Sequence, residues 1–383
     1  MPHAERARQV AGGLVDLSVG TPVDPTPALL RDALAAASDS PGYPQVWGTP
    51  AVREAVAAWF ARRRGVPGLD PDGVMPTPGS KELVAWLPTL LGLGPGDVVV
   101  HPAAAYPTYD VGARLAGAAP LPLDDVASLP SPQVELPGGG TGRVRLVWLN
   151  SPSNPTGAVD PVARLAAVVA WAREHDVVVA SDECYAELGW SAPAQGAAEG
   201  LDVDARGDVV VPSVLDPRVV GSDPSGVLAV YSLSKQSNLA GYRAAFVAGD
   251  PGLVARLLEI RKHAGMIVPA PVQAAMTVAL GDDAHVDRQR ERYRARRAVL
   301  RPALEAAGLS VDGSLAGLYL WARPAGEPGD CWTTVGRLAD DGVLVAPGAF
   351  YGAAAAGHVR VALTASDERV AEAARRLAGG RAG

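Results

Sequence analysis

The chain has 383 residues, 48% of them in the hydrophobic class and 20% charged, with a formal net charge of −7. Disorder as the global state is excluded, because it needs low hydrophobicity and high charge; the length predicts roughly two or three folding units, or one large α/β domain with an appendage. Net acidity without a basic block argues against a nucleic-acid partner.

Residues 1–20 carry Arg6, Arg8 and Asp16 and no unbroken apolar run, so no signal peptide is expected there. Long runs rich in Ala, Leu and Arg predict helices over 49–64, 80–91, 161–175 and 251–263. Short, mostly β-branched runs at 97–100, 144–149, 176–180 and 227–231 predict buried strands. Strands that are apolar throughout and separated by helices mean a mostly parallel sheet covered on both faces. Ligands of such sheets sit beyond the carboxyl ends of the strands. Residues 124–142 and 191–226, rich in Pro, Gly and Asp, read as surface loops or lids. The uncharged stretch 264–281 contains Pro269, Pro271 and Gln273 and does not read as a membrane span. From about Arg288 an Arg-rich helix, short strands over 315–322, 343–345 and 358–363, and a helix over 367–377 predict a second, smaller α+β unit. Cys184 and Cys331 lie far apart, which predicts no disulfide framework and a reducing, cytoplasmic setting.

The loops after the predicted strands hold the chemistry. Lys235, in Ser232-x-x-Lys235, follows an apolar strand, where desolvation would lower its pKa and leave an amine able to attack a carbonyl. The alternative is a solvated turn. A serine acyl enzyme, which shares Ser-x-x-Lys, also needs S-D-N and K-T-G, and neither occurs. Arg243, eight residues on, offers a fork for a phosphate. Asp182 ends another apolar strand and needs a cationic partner, unless it merely caps the next turn. Tyr185 follows three residues later, and Cys184 reads as a small buried hydrophobe. Asn154 lies in Asn150-Ser-Pro-Ser-Asn-Pro-Thr-Gly157, a stiff turn that aims its amide at the crevice, or a β-turn and nothing more. Gly79, Ser80 and Lys81 open a helix whose free N–H groups suit a phosphate, although Ser80 with Glu82 is also an ordinary cap. Tyr106 could stack on a flat ring or fill the core. Arg360 stands alone in an apolar strand and suits a carboxylate, or an ion pair with an unseen acid. No P-loop and no metal-ligand spacing occurs, so no nucleotide and no metal are expected.

In order and spacing these motifs resemble the class I and II aminotransferases, fold-type I enzymes that use pyridoxal 5′-phosphate, over nearly the whole chain. The resemblance implies a large α/β domain over 45–265 and a small α+β domain from 1–44 and 266–383. It implies that Lys235 bonds the cofactor and shuttles a proton. Asp182 pairs with the ring nitrogen, Asn154 and Tyr185 bond the ring oxygen, and Tyr106 stacks on the ring. Gly79, Ser80, Lys81 (through its backbone), Ser232 and Arg243 hold the phosphate. Arg360 clamps the substrate carboxylate beside Gly20. Tyr43 reaches the phosphate of a neighbouring subunit, which implies a homodimer acting on small amino and 2-oxo acids. Residues 105–117 and 234–250 look closest to the succinyldiaminopimelate transaminases of lysine biosynthesis, with residues 191–226 bordering the substrate mouth. An aromatic or branched-chain transaminase and a carbon–sulfur β-lyase stay open. So does a cofactor-sensing domain, against which stands the lack of a DNA-binding segment before Gly20.

Overall fold

A computed structural model describes residues 2–136, 138–191, 199–326 and 329–379. In chain order the strands are β1 (Val15–Asp16), β2 (Val74–Pro78), β3 (Asp97–His101), β4 (Ala119–Pro122), β5 (Gln133–Glu135), β6 (Thr141–Asn150) and β7 (Val178–Asp182). There follow β8 (Val227–Ser232), β9 (Ala244–Gly249), β10 (Leu309–Asp312), β11 (Tyr319–Pro324), β12 (Val343–Leu344), β13 (Ala346–Pro347) and β14 (Val359–Ala362). Strands β2 to β9 form one sheet in the order β2-β9-β8-β7-β6-β3-β4, with β5 paired to β6. Pairing is parallel from β4 through β3, β6 and β7 to β8, and antiparallel at β9 and β5. The fold is therefore α/β with a mostly parallel sheet.

Alternation sorts each strand between two cores. Val98, Val100, Val147, Leu149, Val179 and Tyr231 pack with Trp59 and Phe246 on one face. Val99, Leu146, Trp148, Ala180 and Val230 pack with Leu83 and Tyr109 on the other. Both faces are dry, so these strands show no polar alternation. The helix Pro50–Arg63 starts where Thr49 caps the Val52 N–H, and the helix Pro251–Ala264 starts at a cap from Asp250 and stops at left-handed Gly265.

The sequence reading omits β2 and β9. Their segments are rich in Pro or Ala, with weak intrinsic strand preference, and pairing with each other and β8 makes them strands. Pro76 is tolerated because β2 is an edge strand.

Two loop expectations are corrected. Residues 124–142 include β5 and the start of β6, and Trp171 Nε1 donates to the Leu129 carbonyl at 2.8 Å. Residues 199–226 are no lid, since Val209, Val211, Val214 and Leu215 join the core of the large sheet. Asp208, fully buried, accepts from Arg290 and Arg294. None of residues 199–226 lines the cleft at the strand ends. Residues 192–198 lie outside the described residues.

The C-terminal unit is an antiparallel sheet, β10-β11-β14-β13, covered by the helices Ala284–Ala306, Cys331–Asp340 and Asp367–Gly379. β1 pairs in parallel with β12, tying the N-terminal arm to this unit, and Leu17 packs with Leu320 and Val361. The helices Ala28–Ala36 and Ala270–Gly281 instead pack into the large core, through Leu30, Met276 and Leu280. No helix among the described residues is long and apolar enough to cross a membrane.

Candidate active site

The parallel strands β6, β7 and β8 end side by side: Asn150 is level with Asp182, and Ser232 closes β8. A cleft of about 570 Å³ lies at these ends. Gly20, Ser80, Lys81, Tyr106, Asn154, Asp182, Tyr185, Ser232, Lys235, Arg243 and Arg360 all line it. Gly79 adjoins it through Arg243, and Tyr43 is fully exposed and outside it.

Asp182 shares its face of the sheet with Ala180 and Trp148. Its carboxylate accepts from Tyr109 Oη at 3.0 Å and from the Cys184 N–H at 3.2 Å. The capping role is thus real, but no cation pairs with this buried carboxylate among the described residues. Burial raises its pKa, and the bonds from Cys184 and Tyr109 only moderate the rise. Glu183, next in sequence, points the other way and binds Arg64 at 3.3 Å, Ser213 and the Val214 N–H. Cys184 is buried and its thiol is pushed up by burial, as expected of an inert hydrophobe.

Lys235 is no solvated turn residue. It is half-buried and donates from Nζ to the Gly20 carbonyl, and burial lowers its pKa. Ser232 caps the short helix Leu233–Gln236 and bonds Ser234 at 2.8 Å, not Lys235, so no acyl-enzyme pair forms.

At the helix Ser80–Leu90 the cap position falls on Gly79, at φ 83°, with no side chain on the terminal N–H groups. Glu82 does not close a capping box; it pairs with buried Arg261 at 2.9 Å. An ideal Cβ on Gly79 would lie 1.9 Å from Arg243 Nη2, so only glycine lets the guanidinium reach this helix end. Arg243 lies directly before β9, in a left-handed conformation.

Arg360 has no carboxylate partner among the described residues. It donates to Asn154 Oδ1 at 2.9 Å and to the Ser18 carbonyl at 2.8 Å. Its guanidinium sits 3.9 Å from the Tyr319 ring centroid and 4.9 Å from that of Tyr351. Asn154 therefore accepts through Oδ1 and turns only its amide N–H groups to other partners, a refinement of the expected donor. Tyr106 stands edge-on to Tyr109, with Lys81 Nζ 5.6 Å from its ring.

Sequence reasoning missed Tyr109 as the donor to Asp182 and missed Tyr319 and Asn150 altogether. Asn150 orients the turn, accepting from the Asn154 N–H at 2.8 Å. Only position hints at it, as the last residue of β6.

Lys81, Lys235, Arg243 and Arg360 face one carboxylate, Asp182, across the cleft. Such a site demands anions. Arg243 against the uncapped helix end suits a phosphate, and Asp182 suits a protonated ring nitrogen that would relieve its desolvation. Desolvated Lys235 suits a carbonyl carbon. A phosphorylated pyridine aldehyde fits all three.

The family described as aminotransferase class I and II matches residues 13–377. The chain is 55% identical over 377 residues to the 4-dedimethylamino-4-oxo-anhydrotetracycline transaminase OxyQ of Streptomyces rimosus, covering 98% of this chain and 96% of the relative. It is 56% identical over 375 residues to the probable aminotransferase Rv1178 of Mycobacterium tuberculosis, covering 97% and 82%. Among solved structures, a probable N-succinyldiaminopimelate aminotransferase from Thermus thermophilus superposes with a TM-score of 0.81 at 30% identity, covering 98% of this chain and 97% of that one. The cofactor is pyridoxal phosphate, and the chain belongs to the class I and II aminotransferases.

Proposed function

We propose that this aminotransferase moves an amino group between N-succinyl-LL-2,6-diaminopimelate and 2-oxoglutarate, in ping-pong order. The observation that carries this reading is the surplus of positive charge in the cleft. With Lys235 and Arg243 given to the cofactor and Arg360 to the α-carboxylate, Lys81 remains without a carboxylate partner among the described residues. Both proposed substrates bring a further carboxylate to meet it. The likeness to the Thermus thermophilus structure supports the same substrate class.

In this reading Gly79, Ser80, the Lys81 backbone, Ser232 and Arg243 hold the phosphate. Asp182 faces the ring nitrogen, Asn154 and Tyr185 face the ring oxygen, and Tyr106 covers the ring. Bound pyridoxal phosphate supplies an electron-accepting ring and an aldehyde carbon that carries the amino group. Arg360 fixes the α-carboxylate by a planar fork, steadied by Asn154 and two aromatic faces. With the cofactor bound, Lys235 would take the proton from the substrate Cα and deliver it to the carbon that receives the amino group; burial lowers its pKa, which favours the free amine this needs. The protein acts as a cytoplasmic homodimer, Tyr43 of one chain reaching the phosphate held by its partner.

The test is glutamate formation from N-succinyl-LL-2,6-diaminopimelate and 2-oxoglutarate by the purified holoenzyme. Lys81→Ser should lower kcat/KM for 2-oxoglutarate about 10- to 100-fold, the worth of a hydrogen bond to a charged group. Absence of glutamate would overturn the substrate and leave the cofactor site standing. One feature favours a second reading, transamination of an apolar ring ketone. A cavity of about 270 Å³ shares Val19 and Arg360 with the cleft and is lined by Trp332, Val335, Leu344 and Phe350. The 55% identity to the tetracycline-intermediate transaminase points the same way. Preference for a polycyclic ketone over the succinylated substrate would select it.

A further inference from the structure

Tyr319, on β11 of the C-terminal unit, reaches into the cleft between two groups that the proposed site keeps apart. Its hydroxyl is 3.3 Å from that of Tyr185. The two rings meet edge to face at 5.7 Å. The same ring supports the Arg360 guanidinium at 3.9 Å. Gly20 makes the approach feasible, because an ideal Cβ there would lie 2.1 Å from Tyr319 Oη. That glycine also accepts from Lys235 Nζ through its carbonyl. Tyr319 thus touches the ring-holding tyrosine and the carboxylate clamp, and packs on the residue that anchors the lysine.

We propose that Tyr319 is a positioning residue for the amino transfer: it donates its hydroxyl proton to Tyr185 Oη, which frees the Tyr185 O–H to donate into the cleft, and its ring holds Arg360 in place. The inference rests on the assignment of Tyr185 to the cofactor ring oxygen. The direction of the bond follows from the charges around the pair. The Arg360 guanidinium stands 3.9 Å from the Tyr319 ring centroid and draws electron density from that phenol, whereas no cation stands over the Tyr185 ring among the described residues. The more polarised hydroxyl donates, and a donor chain of this kind strengthens its last bond.

The experiment is a pH titration of the visible absorbance of the holoenzyme, with no substrate present, for Tyr319→Phe, Tyr185→Phe and the double variant. A weaker Tyr185 donor favours the protonated form of the bound chromophore, so Tyr319→Phe should raise its midpoint by about half to one pH unit. Tyr185→Phe should raise it further, and adding Tyr319→Phe to that variant should change nothing more. Tyr319→Leu, which also removes the ring, should in addition raise KM for amino-acid substrates about tenfold, while Tyr319→Phe leaves KM within about twofold. A Tyr319→Phe curve that overlays the wild type, or shifts that add in the double variant, would overturn the proposal. A Tyr185→Phe curve without any shift would overturn the Tyr185 assignment, and the proposal with it.

Discussion

Replacing Asp182 by Asn separates the carboxylate's two effects, one on the cofactor-free fold and one on the reaction. The fold should survive. Asn keeps an acceptor for either Tyr109 Oη or the Cys184 N–H, and Asn150 still donates to the backbone carbonyl at 3.0 Å. In the cofactor-free protein burial raises the pKa of this carboxylate above the usual carboxylate range. The native state therefore binds that proton more tightly than the unfolded chain. Its stability falls as pH rises from the unfolded value through the raised folded one. Asp182→Asn removes this slope, so the cofactor-free variant should be no less stable at pH 7 in urea titrations. The loaded enzyme responds oppositely, because the ring nitrogen loses its anionic partner. Breaking a buried pair costs about 3–5 kcal/mol, which corresponds to a turnover loss of roughly 10²- to 10⁴-fold. Turnover of Asp182→Asn within about tenfold of wild type, at saturating cofactor, would refute the reasoning and leave Asp182 a capping residue.

Lys235→Ala should abolish turnover and the absorbance band of the lysine-bonded cofactor; retained turnover would sink the site. Gly79→Ala puts a Cβ where Arg243 Nη2 lies and strains a residue at φ 83°. Equilibrium dialysis should show cofactor affinity reduced about 5- to 150-fold, the cost of holding a non-glycine residue in this backbone conformation being about 1–3 kcal/mol. Arg64→Met leaves Glu183 buried without its cation, both side chains being at most 3% exposed. It should lower stability by about 3–5 kcal/mol in urea, and an unchanged midpoint would contradict the pairing.

The residues legible in the sequence were those that break a local pattern: a lysine just after one apolar strand, an aspartate ending another, a lone arginine within a third. Each violates the burial rule for its residue type, and the violation marks the site. What stayed illegible depends on contacts remote in the chain. Tyr319 meets Tyr185 across 134 residues, and Tyr109 meets Asp182 across 73. Nothing local distinguishes these tyrosines from core aromatics. The Asn154 amide was expected as a donor because its partner Arg360, 206 residues away, could not be assigned to its oxygen. Residues 199–226 looked like a loop because Gly, Pro and Asp dominate them. Their six buried apolar side chains, from Val209 to Val220, are split into runs too short to reveal a core contact. The strands β2 and β9 were invisible for the converse reason: their neighbours, not their composition, make them strands.

The most direct test of the proposed amino transfer is a single half-reaction. The holoenzyme is mixed with N-succinyl-LL-2,6-diaminopimelate alone and followed by absorbance, unreacted substrate is removed by gel filtration, and 2-oxoglutarate is then added. The account predicts that the first addition shifts the cofactor band, and that the second restores it with one glutamate released per site. A band unmoved by the succinylated substrate but shifted by glutamate would contradict the proposed donor and direct attention to other amino acids.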